Sequence, residues 1–342
     1  MSRCDIVIPV WNQLTMTREC LGSIYKNTYI SYRLIIIDNG SDRETREYLE
    51  SVSRDNKFSK VTLLRNEKNI GALGALNQGM SQANAEFICL LNNDTLVGPG
   101  WLTEMIKVAE SRADIGTVNP NSNTLGHKSR EPKSLESIAQ KLRCYSGEWS
   151  ELAWAHGFCM LIKRKVLQEV GLFDEIYGMG TFEDADFSKR AQRLGYFCVC
   201  AKAAYVYHHE RSSFKKFKSF NKDFERNRQI FYAKWGRLQR ILYVLTKDNP
   251  AYKDKVAKVA LRLAREGNII WFFLKDKDKL NIDHHSNIYI YKLPGFFFSL
   301  ASLWRILKRK KKFDKIYVDD EVYRKRLNNL KSLHKAEVIH GQ

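Results

Sequence analysis

The chain has 342 residues, 44% of them hydrophobic and 28% charged, and its formal net charge is +19. This length can build one large core with an appendage, or two domains. The seven cysteines show no metal-binding spacing, and no apolar run reaches the ~20 residues of a membrane-spanning helix. We therefore expect a cytoplasmic protein with reduced thiols, without a signal peptide or a membrane span.

The first 120 residues alternate predicted strands and helices. The predicted strands are 5–10, 33–38, 61–64, 87–91 and 115–119, and the predicted helices are 15–27, 42–53, 71–83 and 100–111. Short apolar runs separated by helices indicate a mainly parallel sheet covered by helices, which binds ligands beyond the carboxyl ends of its strands. Asp38 and the triplet Asn92, Asn93 and Asp94 follow two such ends.

The alternation continues less regularly to about residue 212. The predicted elements are a polar loop at 121–151, a strand at 155–163, a glycine-rich loop at 171–181, a helix at 183–194 and a strand pair at 197–207 that ends at His208. Beyond it the chain is basic and aromatic, and we predict mainly helices with one strand-like stretch at 287–293. The predicted domains are 1–212, an α/β domain, and 213–342, a mainly helical basic region.

The triplet after the strand at 87–91 offers oxygen atoms only. Asn and Asp favour turns because they hydrogen-bond nearby backbone, so a plain turn is one explanation of Asn92, Asn93 and Asp94. Their oxygens are also ligands that Mg²⁺ and Mn²⁺ prefer, together with substrate phosphates. His208 would add an imidazole and favour Mn²⁺, and a histidine bonded to backbone is the alternative.

Three further positions carry candidate chemistry. Asp38 ends an apolar strand, where it would cap the next helix or accept a hydrogen bond from a base or ribose. Glu183 and Asp184 open a helix, which their charge favours in any case, but a mobile glycine-rich loop before them is suited to deliver a carboxylate to a pocket. The segment 69–79 has neither a GxGxxG nor a P-loop pattern, although its helix would offer free N–H groups to an anion.

Taken in order, seven segments resemble glycosyltransferase family 2, the inverting nucleotide-sugar transferases of the GT-A fold. The segments are DIVIPVWN (5–12), IIIDNGSD (35–42), NIGALGALNQG (69–79), LLNNDT (90–95), GFCMLIKRKVLQEVGLFDE (157–175), FEDADFSKRAQRLGY (182–196) and VYHH (206–209). The chain looks most similar to non-processive bacterial members that build rhamnose- or galactofuranose-containing surface glycans.

This resemblance implies a fold and an activity. The fold is Rossmann-like α/β, with a mixed, mostly parallel sheet and flanking helices. The activity is transfer of a sugar from a nucleotide-diphosphate sugar, UDP- or dTDP-linked, to a glycan or lipid-linked acceptor in surface polysaccharide assembly. One base, one metal and no second nucleophilic carboxylate predict a single displacement with inversion.

The resemblance also implies roles for single residues. Asp184 matches the catalytic base, while Asp94, Asn92 and His208 match the positions that hold a divalent cation, Mn²⁺ or Mg²⁺. Donor-binding positions are matched by Pro9, Asn12, Asp38, Asn69, Gly71, Asn77 and Asn93, and acceptor-side positions by Trp154, His156 and Glu183. The family's triplet begins with Asp, so Asn92 predicts weaker metal binding and a larger share for His208.

The C-terminal region lies outside the resemblance and carries much of the positive charge. Residues 251–342 contain 21 Lys and Arg against 10 Asp and Glu, and 305–312 (RILKRKKK) has six basic residues in eight. Such an excess indicates a polyanionic partner, either nucleic acid, an anionic membrane surface or a phosphorylated substrate.

Just before the basic run, apolar side chains recur at helical spacing. They are Phe297, Leu300, Leu303, Trp304 and Leu307. The pattern predicts either a helix packed on a core and followed by a solvated basic turn, or an interfacial helix on an anionic leaflet. The second interpretation would place the protein peripherally at the inner face of the cell membrane.

Some features of the sequence would also suit other functions. The basic, aromatic stretch at 212–228 would suit a nucleic-acid-binding protein, but no recognisable motif of that class accompanies it, so we expect no nucleic acid as partner. Asn92 leaves open a catalytically weak relative that binds sugar nucleotides or glycans. A processive polymerase is disfavoured, because the sequence has neither membrane spans nor a Gln-x-x-Arg-Trp motif.

Overall fold

The computed structural model describes residues 2–55, 57–58, 60–125, 134–209 and 220–341. Contacts between residues divide the chain into two compact units, Met1–Trp235 and Gly236–Gln342. The division lies later than the predicted boundary at 212/213, which falls in a segment outside the described residues.

Within the described residues, the first unit contains a nine-stranded mixed sheet. Its strands are β1 (Cys4–Val10), β2 (Tyr32–Asn39), β3 (Val61–Asn66), β4 (Phe87–Leu91), β5 (Thr95–Val97), β6 (Ile115–Asn121), β7 (Trp149–Leu152), β8 (Cys159–Lys163) and β9 (Phe197–His208). Its helices are α1 (Leu14–Asn27), α2 (Arg43–Arg54), α3 (Gly71–Ser81), α4 (Trp101–Glu110), α5 (Leu135–Leu142), α6 (Arg164–Val170), α7 (Glu183–Arg193) and α8 (Phe220–Trp235). The strand order is β3-β2-β1-β4-β8-β6-β9-β5, and β7 pairs with β9.

This architecture confirms the predicted α/β fold with a mixed sheet and flanking helices. The strands from β3 to β4 are joined by parallel pairs, whereas β8 runs antiparallel to both β4 and β6. The strand pair predicted at 197–207 is one long strand, β9, which pairs with β6 and β7 first and with β5 at its end. The loop predicted at 121–151 contains α5 and β7, and its residues 126–133 lie outside the described residues.

The second unit is a five-stranded parallel sheet in the part of the chain that is described. Its strands are β10 (Arg240–Val244), β11 (Ile269–Lys275), β12 (Ile288–Leu293), β13 (Lys315–Val318) and β14 (Glu337–His340), in the order β12-β11-β10-β13-β14. Its helices are α9 (Pro250–Arg265), α10 (Phe298–Lys308), α11 (Glu321–Asn329) and α12 (Lys331–His334). The core divides into a cluster with α9 on one face and a cluster with α10 and α11 on the other.

The mainly helical C-terminal region that we predicted therefore contains helices, but they alternate with five parallel strands. Only the stretch at 287–293 was anticipated, and it forms β12. The strands β10 and β11 are short and mostly buried, so their sequences do not alternate as half-buried strands do. No helix in the described ranges has both the length and the apolar character needed to cross a bilayer.

The position of α3 depends on one glycine. A Cβ atom built on Gly79 would lie 2.3 Å from Val7 Cγ1 and 2.7 Å from Ile37 Cδ1, closer than real side-chain atoms approach. Glycine therefore lets α3 lie directly on β1 and β2, and this contact fixes where the start of α3 meets the carboxyl ends of those strands.

Replacing Gly79 with alanine should drive a methyl group into Val7 and Ile37, and we expect it to lower the free energy of unfolding by about 1–3 kcal/mol. Gly22 is a matched control, because it is also helical and an added Cβ has no neighbour within 4 Å. Gly22→Ala should leave stability unchanged or raise it by up to about 1 kcal/mol. Urea unfolding followed by circular dichroism measures both, and equal midpoints for the two variants would contradict the packing argument.

Candidate active site

The predicted site residues follow one edge of the first sheet. The strands β1, β2 and β4 are parallel, so their carboxyl ends lie at the same edge. The antiparallel strand β8 begins there, because Leu91 pairs with Cys159, and β9 ends where His208 pairs with Thr95. The segments that follow β1, β2, β4 and β9 and the segment that precedes β8 therefore all lie at this edge.

Asp94 and His208 are brought together at this edge by the pairing of β5 with β9. His208 Nε2 lies 3.3 Å from Asp94 Oδ1, and the two side chains are 15% and 2% exposed. The imidazole stacks on the ring of Phe158, with centroids 5.1 Å apart. The backbone N–H of His208 donates to Asn123 Oδ1 at 2.8 Å. The side chains are thus held in place by protein contacts.

A carboxylate oxygen and an imidazole nitrogen this close are two donors that fit Mn²⁺ or Mg²⁺. Among the described residues, no group of three or more His, Cys, Asp or Glu side chains is arranged to hold a metal ion. A cation bound by Asp94 and His208 would need further oxygen ligands.

The turn that carries the triplet is fixed by its neighbours. The Asn92 N–H donates to the Phe158 carbonyl at 2.9 Å, and the Asn92 carbonyl accepts from the Thr95 hydroxyl at 2.7 Å. Asn93 Nδ2 donates to the Thr17 hydroxyl of α1 at 3.0 Å. The backbone of the triplet is thereby anchored to the segment before β8, and its second side chain to α1.

Glu183 and Asp184 open α7 beside the same segment. Asp184 Oδ2 accepts from the Gly157 N–H at 3.0 Å, and Oδ1 accepts from the Ala185 N–H at 2.8 Å. A Cβ built on Gly157 would lie 3.7 Å from Asp184 Oδ2 and 3.9 Å from Glu183 Oε1, so both acids flank this glycine. The next residue, Phe158, stacks on His208, so Asp184 and His208 contact two adjacent residues of one segment.

Burial shifts the pKa of Glu183 and of His156 at this site. Burial, followed by the charge of Asp184, raises the pKa of Glu183 to about 8, and Glu183 Oε2 is a buried oxygen with no hydrogen-bond partner among the described residues. Burial also lowers the pKa of His156, against the attraction of Asp184, so this imidazole is neutral at pH 7. Asp184 is the acid whose carboxylate two backbone N–H groups stabilise.

Helix α8 holds the glycine-rich segment before these acids, a role for which no motif or periodicity in α8 is a signal. The buried Asn227 side chain donates to the carbonyls of Tyr177 and Gly180 at 2.8 and 2.7 Å. Trp235 Nε1 donates to Asp186 of α7 at 2.8 Å. These bonds explain why the first unit extends to Trp235. They also attach part of the segment 171–181 to α8.

Asp38 lies at the end of β2 with both carboxylate oxygens engaged. Oδ1 accepts from the Ser41 N–H at 2.9 Å, and the other oxygen pairs with Arg65. Asp42, not Asp38, caps α2. Asn12, in a left-handed conformation after β1, accepts from the Asp42 N–H at 2.7 Å, so the ends of β1 and β2 are linked.

Three further residues predicted to bind the donor are Asn69 and Gly71, at the start of α3, and Asn77, farther along this helix. Asn69 accepts from the Gly71 N–H at 2.8 Å and from Asn39 at 2.9 Å, which places both Asn69 and Gly71 beside the end of β2. Asn77 lies in the body of α3, and its side chain exchanges two 3.0 Å hydrogen bonds with the backbone of Phe173. Its contacts therefore join α3 to the segment 171–175.

Two predicted residues have fewer defined contacts. Pro9 is a half-buried residue inside β1 and pairs with Ile37 of β2. Trp154 is half-buried between β7 and β8, two residues before His156, whose backbone N–H and carbonyl are both bonded to the buried Asn119. The acceptor-side predictions Trp154, His156 and Glu183 therefore surround the segment that carries Gly157.

The mixed sheet and flanking helices of the first unit match the GT-A fold of solved glycosyltransferases. Residues 5–171 match the family model described as Glycosyl transferase family 2. This segment is therefore a family 2 glycosyltransferase domain, as the motifs predicted.

Curated relatives match the same part of the chain. It is similar to Glycosyltransferase GlyG of Streptococcus pneumoniae serotype 4, with 30% identity over 178 residues that cover 48% of this chain and 58% of that protein. It is also similar to the GalNAc(5)-diNAcBac-PP-undecaprenol beta-1,3-glucosyltransferase of Campylobacter jejuni, with 25% identity over 190 residues that cover 52% of this chain and 57% of that protein. The matches span 24% to 58% of the length of such relatives.

Solved structures support the fold. TarS residues 1–349 of S. aureus in complex with UDP-GlcNAc align with a TM-score of 0.51 and 16% identity, covering 68% of this chain and 66% of that one. GalNAc-T7 with UDP, GalNAc and Mn²⁺ aligns with a TM-score of 0.53 and 17% identity, covering 68% and 48%. At these identities the likeness concerns the fold alone.

The raised pKa of Glu183 makes stability depend on pH. Between the ordinary value of 4.5 and about 8, the folded protein holds a proton that the unfolded chain releases. The free energy of unfolding should therefore fall as pH rises through this window. Glu183→Gln is neutral and similar in shape, so the variant should gain melting temperature relative to the wild type as pH rises toward 8.

The measurement is a series of thermal melts of both proteins across this pH range. Glu67→Gln, at an exposed position, controls for removal of a surface carboxylate. A difference between wild type and Glu183→Gln that stays constant with pH would contradict a raised pKa at this position.

Proposed function

We propose that this chain transfers a sugar from a nucleotide-diphosphate sugar, UDP- or dTDP-linked, to a glycan or lipid-linked acceptor, with inversion at the anomeric carbon. The observation that carries the proposal is the single sheet edge on which the Asp94–His208 pair and Asp184 meet through residues 157 and 158. A phosphate-binding position next to a carboxylate base is the arrangement that one displacement requires.

In this proposal Asp184 is the general base. It accepts the proton of the acceptor hydroxyl while that oxygen forms a bond to the anomeric carbon and the bond to the diphosphate breaks. The N–H groups of Gly157 and Ala185 hold the carboxylate. Because the pKa of Glu183 is raised to about 8, Glu183 adds little negative charge near pH 7, and with Trp154 and His156 it would line the acceptor side.

Asp94 and His208 are the proposed ligands of the divalent cation, Mn²⁺ or Mg²⁺. When bound, the cation would neutralise the charge that grows on the departing diphosphate. Asn92 brings no charge to this position, so we assign most of the protein's metal affinity to Asp94 and His208.

The donor nucleotide is assigned to the carboxyl ends of β1, β2 and β4. Pro9, Asn12, Asp38, Asn69, Gly71 and Asn93 are the proposed lining residues. Binding of the base by Asp38 would require its carboxylate to accept another hydrogen bond beside Ser41 and Arg65. For Asn77 the contacts favour a structural role, since its amide is occupied by Phe173.

The relatives support a setting for this activity. The name of the Campylobacter jejuni protein specifies an undecaprenol-linked acceptor, which favours surface-glycan assembly on a lipid carrier. We propose a cytoplasmic enzyme, peripheral at the inner face of the cell membrane, and we keep the rhamnosyl or galactofuranosyl specificity as part of the proposal. Asn92 favours one second candidate, a weakly catalytic protein that binds sugar nucleotides or glycans.

Asp184→Asn preserves the shape of the side chain and removes the proton acceptor, so transfer should fall by about 10²- to 10⁴-fold. Donor affinity should be retained, because the lost interaction belongs to the chemical step. Rates are measured with a panel of UDP-, dTDP- and GDP-sugars with and without Mn²⁺, and donor binding by calorimetry. Asp283→Asn, at an exposed position of the second unit, is the control; transfer at the wild-type rate by Asp184→Asn would place the base elsewhere.

Asp94→Ala should weaken donor binding in Mn²⁺ and make activity insensitive to added Mn²⁺ or Mg²⁺, because the charged ligand is gone. His208→Ala should show part of the same defect. His284→Ala, an exposed histidine in the second unit, is the control. Unchanged metal dependence in Asp94→Ala would exclude this metal site, whereas metal-dependent donor binding without turnover of any donor by the wild type would favour the binding protein.

A further inference from the structure

Helix α10 packs on the core with one side and leaves the other side in solvent. Phe298 and Ile306 are buried in the cluster that contains Trp271 and Phe313. Leu300 and Trp304 are 67% and 58% exposed on the opposite side. The prediction of a core-packing helix is therefore confirmed for one side only.

The predicted apolar face also needs a correction. Leu303 packs against the core and is half-buried, as is Leu307. The exposed apolar surface instead continues into the turn before the helix, where Phe296 and Phe297 are 93% and 57% exposed and their rings lie 4.9 Å apart. We call Phe296, Phe297, Leu300 and Trp304 the apolar cluster. Several large apolar side chains so exposed in one place mark an interaction surface.

The charge around this cluster has one sign. Residues 284–313 contain no Asp or Glu and seven basic residues: Lys292, Arg305, Lys308, Arg309, Lys310, Lys311 and Lys312. Lys308 Nζ lies 4.5 Å from the centroid of the Trp304 ring, and Arg305 lies over Tyr291 of β12 at 5.5 Å. Cationic groups are thus interleaved with the exposed aromatic rings.

These side chains also line a shallow pocket of about 200 Å³. Its walls are Phe273, Tyr291, Trp304, Arg305, Lys308, Arg309 and Phe313. Three cations and several aromatic rings around an open pocket suit a phosphate group that is attached to something apolar.

We propose that the apolar cluster and the basic residues 305–312 bind the surface of an anionic lipid bilayer. The apolar side chains enter the boundary between headgroups and acyl chains, and the cations contact the lipid phosphates. A bilayer offers both an apolar layer of acyl chains and a surface of anionic phosphates. A nucleic acid offers phosphates and flat bases, but Leu300 has no ring to stack, and the rings of Phe296 and Phe297 lie at 88° to each other.

This binding is separate from the proposed transfer reaction and is measured without any sugar nucleotide. The probe is a set of vesicles, one of neutral phosphatidylcholine and one with added phosphatidylglycerol, sedimented with the full chain at several salt concentrations. We expect the wild type to bind the anionic vesicles at least about tenfold more strongly than the neutral ones, and added salt to weaken the binding.

Two variants test the apolar and the electrostatic contributions to vesicle binding separately. Phe296→Ser with Phe297→Ser removes exposed apolar surface, and Lys308→Gln, Lys310→Gln and Lys311→Gln together remove three charges. Each should lower binding by at least about tenfold. The matched controls change other exposed residues of the same unit, Val322→Ser with Leu333→Ser, and Lys258→Gln with Lys325→Gln and Lys331→Gln. The controls should bind as the wild type does, and thermal melts should show that all variants are folded.

Three results would overturn the proposal. The first is equal vesicle binding by the wild type and both test variants. The second is concentration-dependent self-association that the Phe296 and Phe297 substitutions abolish, which would make a second copy of the chain the partner. The third is an absence of vesicle binding together with salt-sensitive oligonucleotide binding that the lysine substitutions remove, which would favour nucleic acid.

Discussion

The antiparallel pairing of β4 with β8 is the constraint on which the site depends. Because Leu91 pairs with Cys159, the residues before β8 lie against the triplet that follows β4. One short segment then contacts both halves of the site. The Gly157 N–H donates to Asp184. The Phe158 carbonyl accepts from the Asn92 N–H, and the Phe158 ring stacks on His208. Residues far apart in the sequence become neighbours through this one reversal of strand direction.

The start of α7 shows how the surrounding structure holds the acids in place. Thr181 and Phe182 adopt left-handed conformations, with φ of 75° and 70°, and such residues cost roughly 1–3 kcal/mol each when they are not glycine. The Asn227 side chain donates to the carbonyls of Tyr177, Gly180 and Thr181 and so holds this backbone. The proposed base therefore sits on a strained turn that α8 stabilises, so that its carboxylate is oriented before any substrate arrives.

The strands of the first unit and the site at their carboxyl ends could largely be predicted from sequence, because each strand is a short apolar run followed by polar residues. Apolar runs such as 87–91, followed at once by polar residues, predicted both the strands and the edge at which their ends meet. The strands of the second unit could not be predicted in the same way. The apolar run IIWFFLK (269–275), for example, forms β11. A short apolar run without alternation does not distinguish a buried strand from a buried helix, and the basic, aromatic surroundings favoured helices. Contacts that depend on distant residues, such as that of Asn227 with Gly180, leave no periodic signal at all.

We propose that Asp94 and His208 hold a metal ion and the donor diphosphate next to Asp184. The most direct measurement is anomalous diffraction from crystals of the chain grown with Mn²⁺ and UDP. On this assignment we expect one manganese peak within coordination distance of Asp94 Oδ1 and His208 Nε2. A bound nucleotide with manganese at other residues, or with no manganese at this edge, would contradict it.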